Sequence, residues 1–140
     1  MAYGTLAVDT VQSSTAGTPT QFNDGNGVQV GTLCRAWVNF NGISGSVAIR
    51  SSFNVSSVTR NSTGDYTVTM TNALSDANYS YSVAIGFTSP ADYMLTPLLN
   101  TATGYTEVVP TTTTFRFLSG LNYATGAYRD PKYVNVSVFR

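Results

Sequence analysis

The chain has 140 residues, only 10% of which are charged, and its seven basic and seven acidic residues cancel. A chain of this length is predicted to form one domain with at most a small appendage. The basic residues are scattered, so no cluster is available to neutralise phosphates, and no apolar run is long enough for a transmembrane helix. The sequence therefore predicts neither a nucleic-acid partner nor membrane insertion.

The first 27 residues are predicted to form an arm that is separate from the main body. Thr5 to Val11 alternates in the manner of a short strand. Gln12 to Gly27 is rich in Ser, Thr, Gly, Pro, Asn and Asp, with Phe22 as its only large apolar residue, which is typical of a loop. Such an arm could attach the protein to other subunits. The alternative is an edge strand followed by a loose connection.

Residues 28–140 are predicted to be a β-sandwich, because apolar and small polar residues alternate along most of this stretch. Asn41-Gly42 and the segment Arg60 to Asp65 are typical turns. The predicted strands are Cys34 to Phe40, Val47 to Val55, Tyr66 to Met70, Tyr79 to Phe87, Thr106 to Val109, Thr111 to Leu118 and Tyr133 to Phe139. Short strands at this spacing predict an all-β fold, an antiparallel, jelly-roll-like sandwich.

Two long loops carry tyrosines, Thr88 to Tyr105 and Leu121 to Lys132. Aromatic rings stack on sugars and provide a large contact area at low entropic cost. The predicted receptor contacts are therefore four loop residues: Tyr93, Tyr105, Tyr123 and Tyr128. The alternative is that these rings only pack over the ends of the sandwich.

Trp37 alternates with Cys34, Ala36 and Val38, so it belongs to the opposite face of its strand. That face must meet solvent, a second layer or a partner chain. The predicted subunit contacts are Trp37, Met94 and Leu95, and the assembly is predicted to be a homo-oligomer.

Residues that carry common chemistry are missing from the chain. It has no histidine and a single cysteine, Cys34, which excludes an internal disulfide. A glycosidase needs two carboxylates across a cleft, whereas Asp65 and Asp76 are predicted to serve in turns. No nucleotide fingerprint or nucleophile elbow is present. The sequence predicts no enzyme activity, no cofactor and no metal.

Two stretches, CRAWVNFNG and SFNVSSVTRNSTGDYTVTMTNALSDANYSYSV, resemble a segment of structural proteins of tailed bacteriophages. The segment is familiar in tail fibres of phages that infect cyanobacteria and other marine bacteria. The opening, MAYGTLAVDTVQSSTAG, resembles the start of such proteins. The resemblance implies a virion protein made in the host cytoplasm, commonly a homotrimer, that acts in adhesion or as a structural accessory.

The resemblance favours a tail-fibre or receptor-binding adhesin that binds a host-surface glycan or protein and contacts other virion proteins through its arm. Fibre proteins usually have a long shaft between the two matched segments, whereas only residues 18–33 intervene here. A short head or baseplate spike, or a capsid decoration (cement) protein, is therefore the alternative. A polysaccharide-degrading tailspike is a third, although such enzymes are usually much longer.

Overall fold

The computed structural model describes residue 8 and residues 21–23, 28–30, 34–43, 46–86, 97–119, 121–122 and 127–140. Every regular element among these residues is a β-strand. Within the described ranges there is no helix of the length and apolarity needed to span a membrane. Apart from Val8, the predicted strand at Thr5 to Val11 lies outside the described residues.

Fourteen strands occur in the described part of the chain. In chain order they are β1 (Gln21–Asn23), β2 (Val28–Val30), β3 (Cys34–Asn41), β4 (Ala48–Phe53), β5 (Val55–Ser62), β6 (Asp65–Met70), β7 (Ser80–Gly86), β8 (Leu98–Leu99), β9 (Thr101–Ala102), β10 (Thr106–Glu107), β11 (Thr114–Leu118), β12 (Leu121–Asn122), β13 (Ala127–Tyr128) and β14 (Tyr133–Phe139).

The chain forms two compact units, Met1–Leu33 and Cys34–Arg140. In the first unit, β1 and β2 pair as an antiparallel hairpin. Strand β2 therefore pairs within the first unit, although the sequence predicts that the main body begins at residue 28. The second unit holds the other twelve strands.

One four-stranded sheet of the second unit has the order β4-β3-β14-β7, and all of its pairs are antiparallel. In β14, and in β3 from Ala36 onward, every second residue is buried and its neighbours are partly or fully exposed, the period of a sheet with one face on a core. Val38 lies opposite Val136, and Val136 lies opposite Val83 on β7. The sheet therefore has an inner apolar face and an outer face.

The other four-stranded sheet has the order β5-β6-β11-β8 and is also antiparallel. Its inner face carries larger side chains, including Tyr66, Phe115 and Phe117, all of which are buried. The inner faces of the two sheets form one continuous core. Phe40 meets Tyr66 across it with ring centroids 5.2 Å apart. This arrangement confirms the predicted all-β, sandwich-like fold, in which each buried large side chain contributes about 1.5–3 kcal/mol.

The predicted single strand Val47 to Val55 is wrong, because the chain breaks at Asn54. Asn54 has a φ of 53°, in the left-handed region that asparagine tolerates better than most residues. Its amide nitrogen donates to the carbonyl oxygens of Arg35 and Asn72, at 3.0 and 3.3 Å. The break moves the chain from the first sheet to the second. Strand β5 then continues to Ser62, so the predicted turn is much shorter than Arg60 to Asp65.

Candidate recognition site

The carboxylate of Asp65 lies wholly buried at the start of β6, next to the β5–β6 turn. Arg116 of β11 donates two hydrogen bonds to it, at 2.7 and 2.8 Å, and the amide of Asn61 donates a third at 3.1 Å. The backbone N–H and hydroxyl of Thr103 add two more, at 2.9 and 2.8 Å. Burial alone would raise the pKa of Asp65, but these donors lower it to about 2.

The two hydrogen bonds that Thr103 donates to Asp65 fix the turn of the β9–β10 hairpin. Two residues of that turn, Gly104 and Tyr105, have φ values of 87° and 61°. A left-handed tyrosine costs about 1–2 kcal/mol and persists only where its surroundings impose it. The Tyr105 N–H also donates to the carbonyl oxygen of Ala102 at 3.1 Å. The hairpin therefore holds the Tyr105 side chain outward, with 63% of its surface exposed.

A second carboxylate, that of Asp130, fixes the segment that leads into β14. Arg60 donates to both of its oxygens, at 2.8–3.0 Å. The Tyr66 hydroxyl and the Gly64 N–H donate to it at 2.7 and 2.8 Å. Burial opposes ionisation, but the bonds from Arg60, Gly64 and Tyr66 lower the pKa of Asp130. Burial and the Asp130 carboxylate raise the pKa of Tyr66.

Gly64 lies where the segment between β11 and β14 packs on the β5–β6 turn. Its φ is 71°. A Cβ atom there would lie 2.6 Å from the Ser119 hydroxyl, 2.8 Å from the Arg129 carbonyl oxygen and 3.0 Å from the Tyr128 Cβ. Only glycine combines that φ with so close an approach. The turn therefore packs directly against the segment that carries Tyr128.

The rings of Tyr105 and Tyr128 lie side by side, with centroids 6.5 Å apart. The Tyr128 hydroxyl is buried and has no hydrogen-bond partner among the described residues, and burial raises the pKa of Tyr128. The structure thus brings together two of the four predicted receptor tyrosines, while Tyr93 and Tyr123 lie outside the described residues. Packing over the sandwich end explains the position of Tyr128, whose hydroxyl is buried. It does not explain why the Tyr105 side chain is exposed. We call Tyr105, Tyr128 and their two anchoring carboxylates the tyrosine end.

The sequence predicts a turn role for Asp65 but does not identify the partner of its side chain. Asp65 does follow the turn, but its side chain points inward to Arg116, which is 51 residues away in the chain. A signal was present, because Arg116 interrupts the apolar strand TFRFL. A charge in such a strand usually has a partner. By contrast, Asp76 accepts from the N–H of Asn78 at 2.7 Å, as predicted for a turn.

Trp37 lies on the outer face of the first sheet, as its alternation predicts, with 37% of its surface exposed. It is directly opposite Phe53 of β4. Tyr133 and Phe139 of β14 are exposed as well. We call this surface the outer aromatic face. Its role as a subunit contact remains a prediction, and the other two predicted contacts, Met94 and Leu95, lie outside the described residues.

Within the described ranges, no three acidic, cysteine or histidine side chains come together to hold a metal ion. Asp65 and Asp130 are each saturated by hydrogen bonds and have lowered pKa values, which suits them to anchoring loops. In comparisons with protein-family models, curated proteins and solved structures, nothing matched this chain significantly.

Proposed function

We propose that this chain is a virion structural protein of a bacteriophage, a trimeric adhesin of the tail-fibre type that recognises a host-surface glycan or protein through its tyrosine end. The resemblance of Cys34 to Val83 to phage structural proteins supports the virion assignment. The observation that carries the recognition role is Tyr105, an exposed aromatic ring held in a left-handed conformation beside a second tyrosine.

Rigid attachment of Tyr105 favours binding. A loop that must become ordered on contact loses about 0.5–1.5 kcal/mol for each long side chain it immobilises. Here Thr103 is bound to the buried Asp65, so the hairpin is ordered before the ligand arrives. Tyrosine itself has an apolar ring for stacking and a hydroxyl for hydrogen bonding. This combination suits the C–H faces and hydroxyls of a sugar.

The test is adsorption of phage particles that carry Tyr105→Ala. We expect adsorption to the host to fall by about tenfold or more, because central aromatic contacts commonly contribute 2 kcal/mol or more. Val109→Ala is the matched control, since Val109 is a similarly exposed apolar residue outside the tyrosine end. Equal adsorption of both variants would argue against the proposed site.

A deletion of Leu121 to Lys132 is a poorer test, because this segment includes Asp130. Its removal would release Arg60, Tyr66 and the Gly64 N–H from their common partner. Lost adsorption could then reflect a damaged fold. The single substitution of Tyr105 leaves that network in place.

Capsid decoration is the second candidate, and strand β4 favours it. This strand lies at the edge of its sheet, and all six of its residues are exposed. An open edge can accept an extra strand from the arm of a neighbouring subunit, with backbone hydrogen bonds supplying much of the affinity. Labelling of whole particles separates the two functions: a tail or baseplate position supports the adhesin, and a regular capsid lattice supports decoration.

The trimeric state is part of the proposal and has its own measurement. Light scattering on the purified protein at micromolar concentration should give three times the mass of one chain. A single-chain mass would remove the trimer and, with it, the predicted subunit role of Trp37.

A further inference from the structure

The outer aromatic face carries an unusual side chain, Arg50, because of a bulge in β4. Ser51 pairs with Asn39, and the next pair is Ile49 with Phe40, so Arg50 is an extra residue opposite one position of β3. A bulge of this kind re-aims a side chain. Arg50 consequently reaches across the outer face to Asn39 and to the Lys132 carbonyl oxygen, at 3.3 and 2.7 Å.

Arg50 is held in position by an aromatic ring as well as by these hydrogen bonds. Its guanidinium carbon lies 4.7 Å from the centre of the Tyr133 ring, and the Lys132 ammonium lies 5.7 Å from the same centre. The Tyr133 ring lies across Gly86, where an added Cβ would be 3.4 Å from the Tyr133 Cβ. A guanidinium has five N–H donors, and the described residues accept from two of those of Arg50. Arg50 is therefore held in place with further donors for a ligand.

The positive charge on this face is not balanced by the described residues. The three ion pairs of the described chain involve Arg60, Arg116 and Arg140. The exposed cations Arg35 and Arg50 belong to β3 and β4, and Lys132 precedes β14. Three of the four described carboxylates bind the paired arginines, and the fourth belongs to the β9–β10 hairpin. The face is therefore complementary to an anion.

The remaining side chains of the face suit a sugar chain. Trp37 and Phe53 form a cross-strand aromatic pair, with 37% and 55% of their surfaces exposed. Between this pair and Tyr133 lies a row of polar side chains across three neighbouring strands: Ser51, Asn39 and Asn135. The Asn39 amide donates to the Asn135 side-chain oxygen. Trp37 lies opposite Ser137 of β14, and Ser137 is four residues from Tyr133 along that strand, or about 13 Å. This distance is longer than one sugar ring.

We propose that the outer aromatic face binds a strand of acidic polysaccharide whose sugars carry carboxylates. Sugar rings stack on Trp37 and Phe53, and their hydroxyls bond to Asn39 and Asn135. A carboxylate accepts two parallel hydrogen bonds from Arg50, the geometry that a guanidinium favours. Association of two copies through this face would bring its cations together, so this proposal replaces the predicted subunit role of Trp37 and places the contacts of the trimer elsewhere.

The probe is polygalacturonate, and its fully methyl-esterified form, which has the same sugar backbone without the charge, is the matched ligand. Calorimetry on the full chain should show binding of polygalacturonate that weakens with added salt, and binding of the ester that is at least about tenfold weaker. Equal affinity for the two polymers, or no binding of the acid, would overturn the proposal.

Three variants locate the binding on the molecule. Arg50→Gln and Phe53→Ser are both on an exposed edge strand, so they leave the core intact, and each should weaken polygalacturonate binding by about tenfold. Tyr105→Ala, at the tyrosine end, is the control and should bind as the wild type does. Unchanged binding by both Arg50→Gln and Phe53→Ser would overturn the assignment, as would tighter binding of single-stranded DNA than of polygalacturonate.

Oligomeric state separates this inference from the proposed adhesin. If Phe53→Ser converts a trimer to single chains, the face is a subunit contact and the polysaccharide site is wrong, although the adhesin role survives. If Tyr105→Ala leaves adsorption unchanged while Arg50→Gln abolishes polygalacturonate binding, the proposed tyrosine site fails and this inference stands.

Discussion

The tyrosine end and the outer aromatic face use arginine in opposite ways. At the tyrosine end, Arg60 and Arg116 bind buried or nearly buried carboxylates and fix loops. On the outer face, Arg50 has only neutral partners among the described residues and keeps free donors. The contrast teaches that an arginine whose donors are taken up by a carboxylate of the same chain stabilises the fold but has little left for a ligand. A charge held by neutral groups remains available to a ligand.

The largest effect should come from breaking the buried pair at the tyrosine end. Asp65→Ala removes the partner of Arg116 and the acceptor for Thr103. Removal of one member of a buried ion pair costs about 3–5 kcal/mol, and we expect the low end because Arg116 is partly exposed. Urea unfolding gives the free energy of unfolding. A loss below about 1 kcal/mol would mean that the pair is not an anchor.

The next largest effect is expected at the turn that joins the two carboxylate networks. Gly64→Ala forces a side chain into a φ of 71° and against Ser119 and the Arg129 carbonyl oxygen. We expect a loss of about 2 kcal/mol or more in the free energy of unfolding. Gly104→Ala is the matched control, since Gly104 also has a positive φ but has no atom within 4 Å of an added Cβ. This control should lower the free energy of unfolding only by the backbone strain of a positive φ, about 1 kcal/mol.

Acid should weaken the tyrosine end through Asp65. Its pKa is lowered from 3.8 to about 2 in the folded state, so it contributes about 2 kcal/mol of stability above pH 4. That contribution is lost as the pH falls from about 4 to about 2. Unfolding measured across this range should show a smaller acid-induced loss in Asp65→Asn than in the wild type. Parallel curves for the two proteins would contradict the assigned pKa.

The smallest effect is expected for exposed arginines. Arg140 pairs with Asp76 at the surface, where both side chains are more than a third exposed, and such pairs contribute little. Arg140→Ala and Arg50→Gln should therefore both unfold at urea concentrations indistinguishable from the wild type. A clear loss of stability in Arg50→Gln would make Arg50 an anchor and end the contrast between the two regions.

The central strands of the fold could be predicted from the sequence because their pattern is local. Strands β3 and β14 alternate along their whole length, so both their existence and their inner faces follow from the residues. Strand β5 was missed because it is an edge strand whose residues are mostly polar. The break at Asn54 was missed because asparagine also occurs within regular strands.

The site was less predictable because it depends on contacts between distant residues. The tyrosines themselves could be chosen from the sequence, and the structure brings Tyr105 and Tyr128 together, but their role in binding stays a prediction. The anchors could not, since Asp65 and Arg116 meet only after β6 and β11 pair. The position of Arg50 beside Asn39 and Tyr133 depends on one extra residue in β4, which changes the phase of the alternation.

The pairing of Cys34 with Phe139 has a consequence for engineering. The start of β3, the first strand of the sandwich unit, is therefore adjacent to the end of β14, its last strand. Both lie at the opposite end of the sheet from Pro131 and Gly42. Units with adjacent termini tolerate insertion into a host loop and circular permutation. Such a graft into an unrelated scaffold would display Tyr105 at the end of the sandwich that holds Asp130 and Pro131, opposite both junctions.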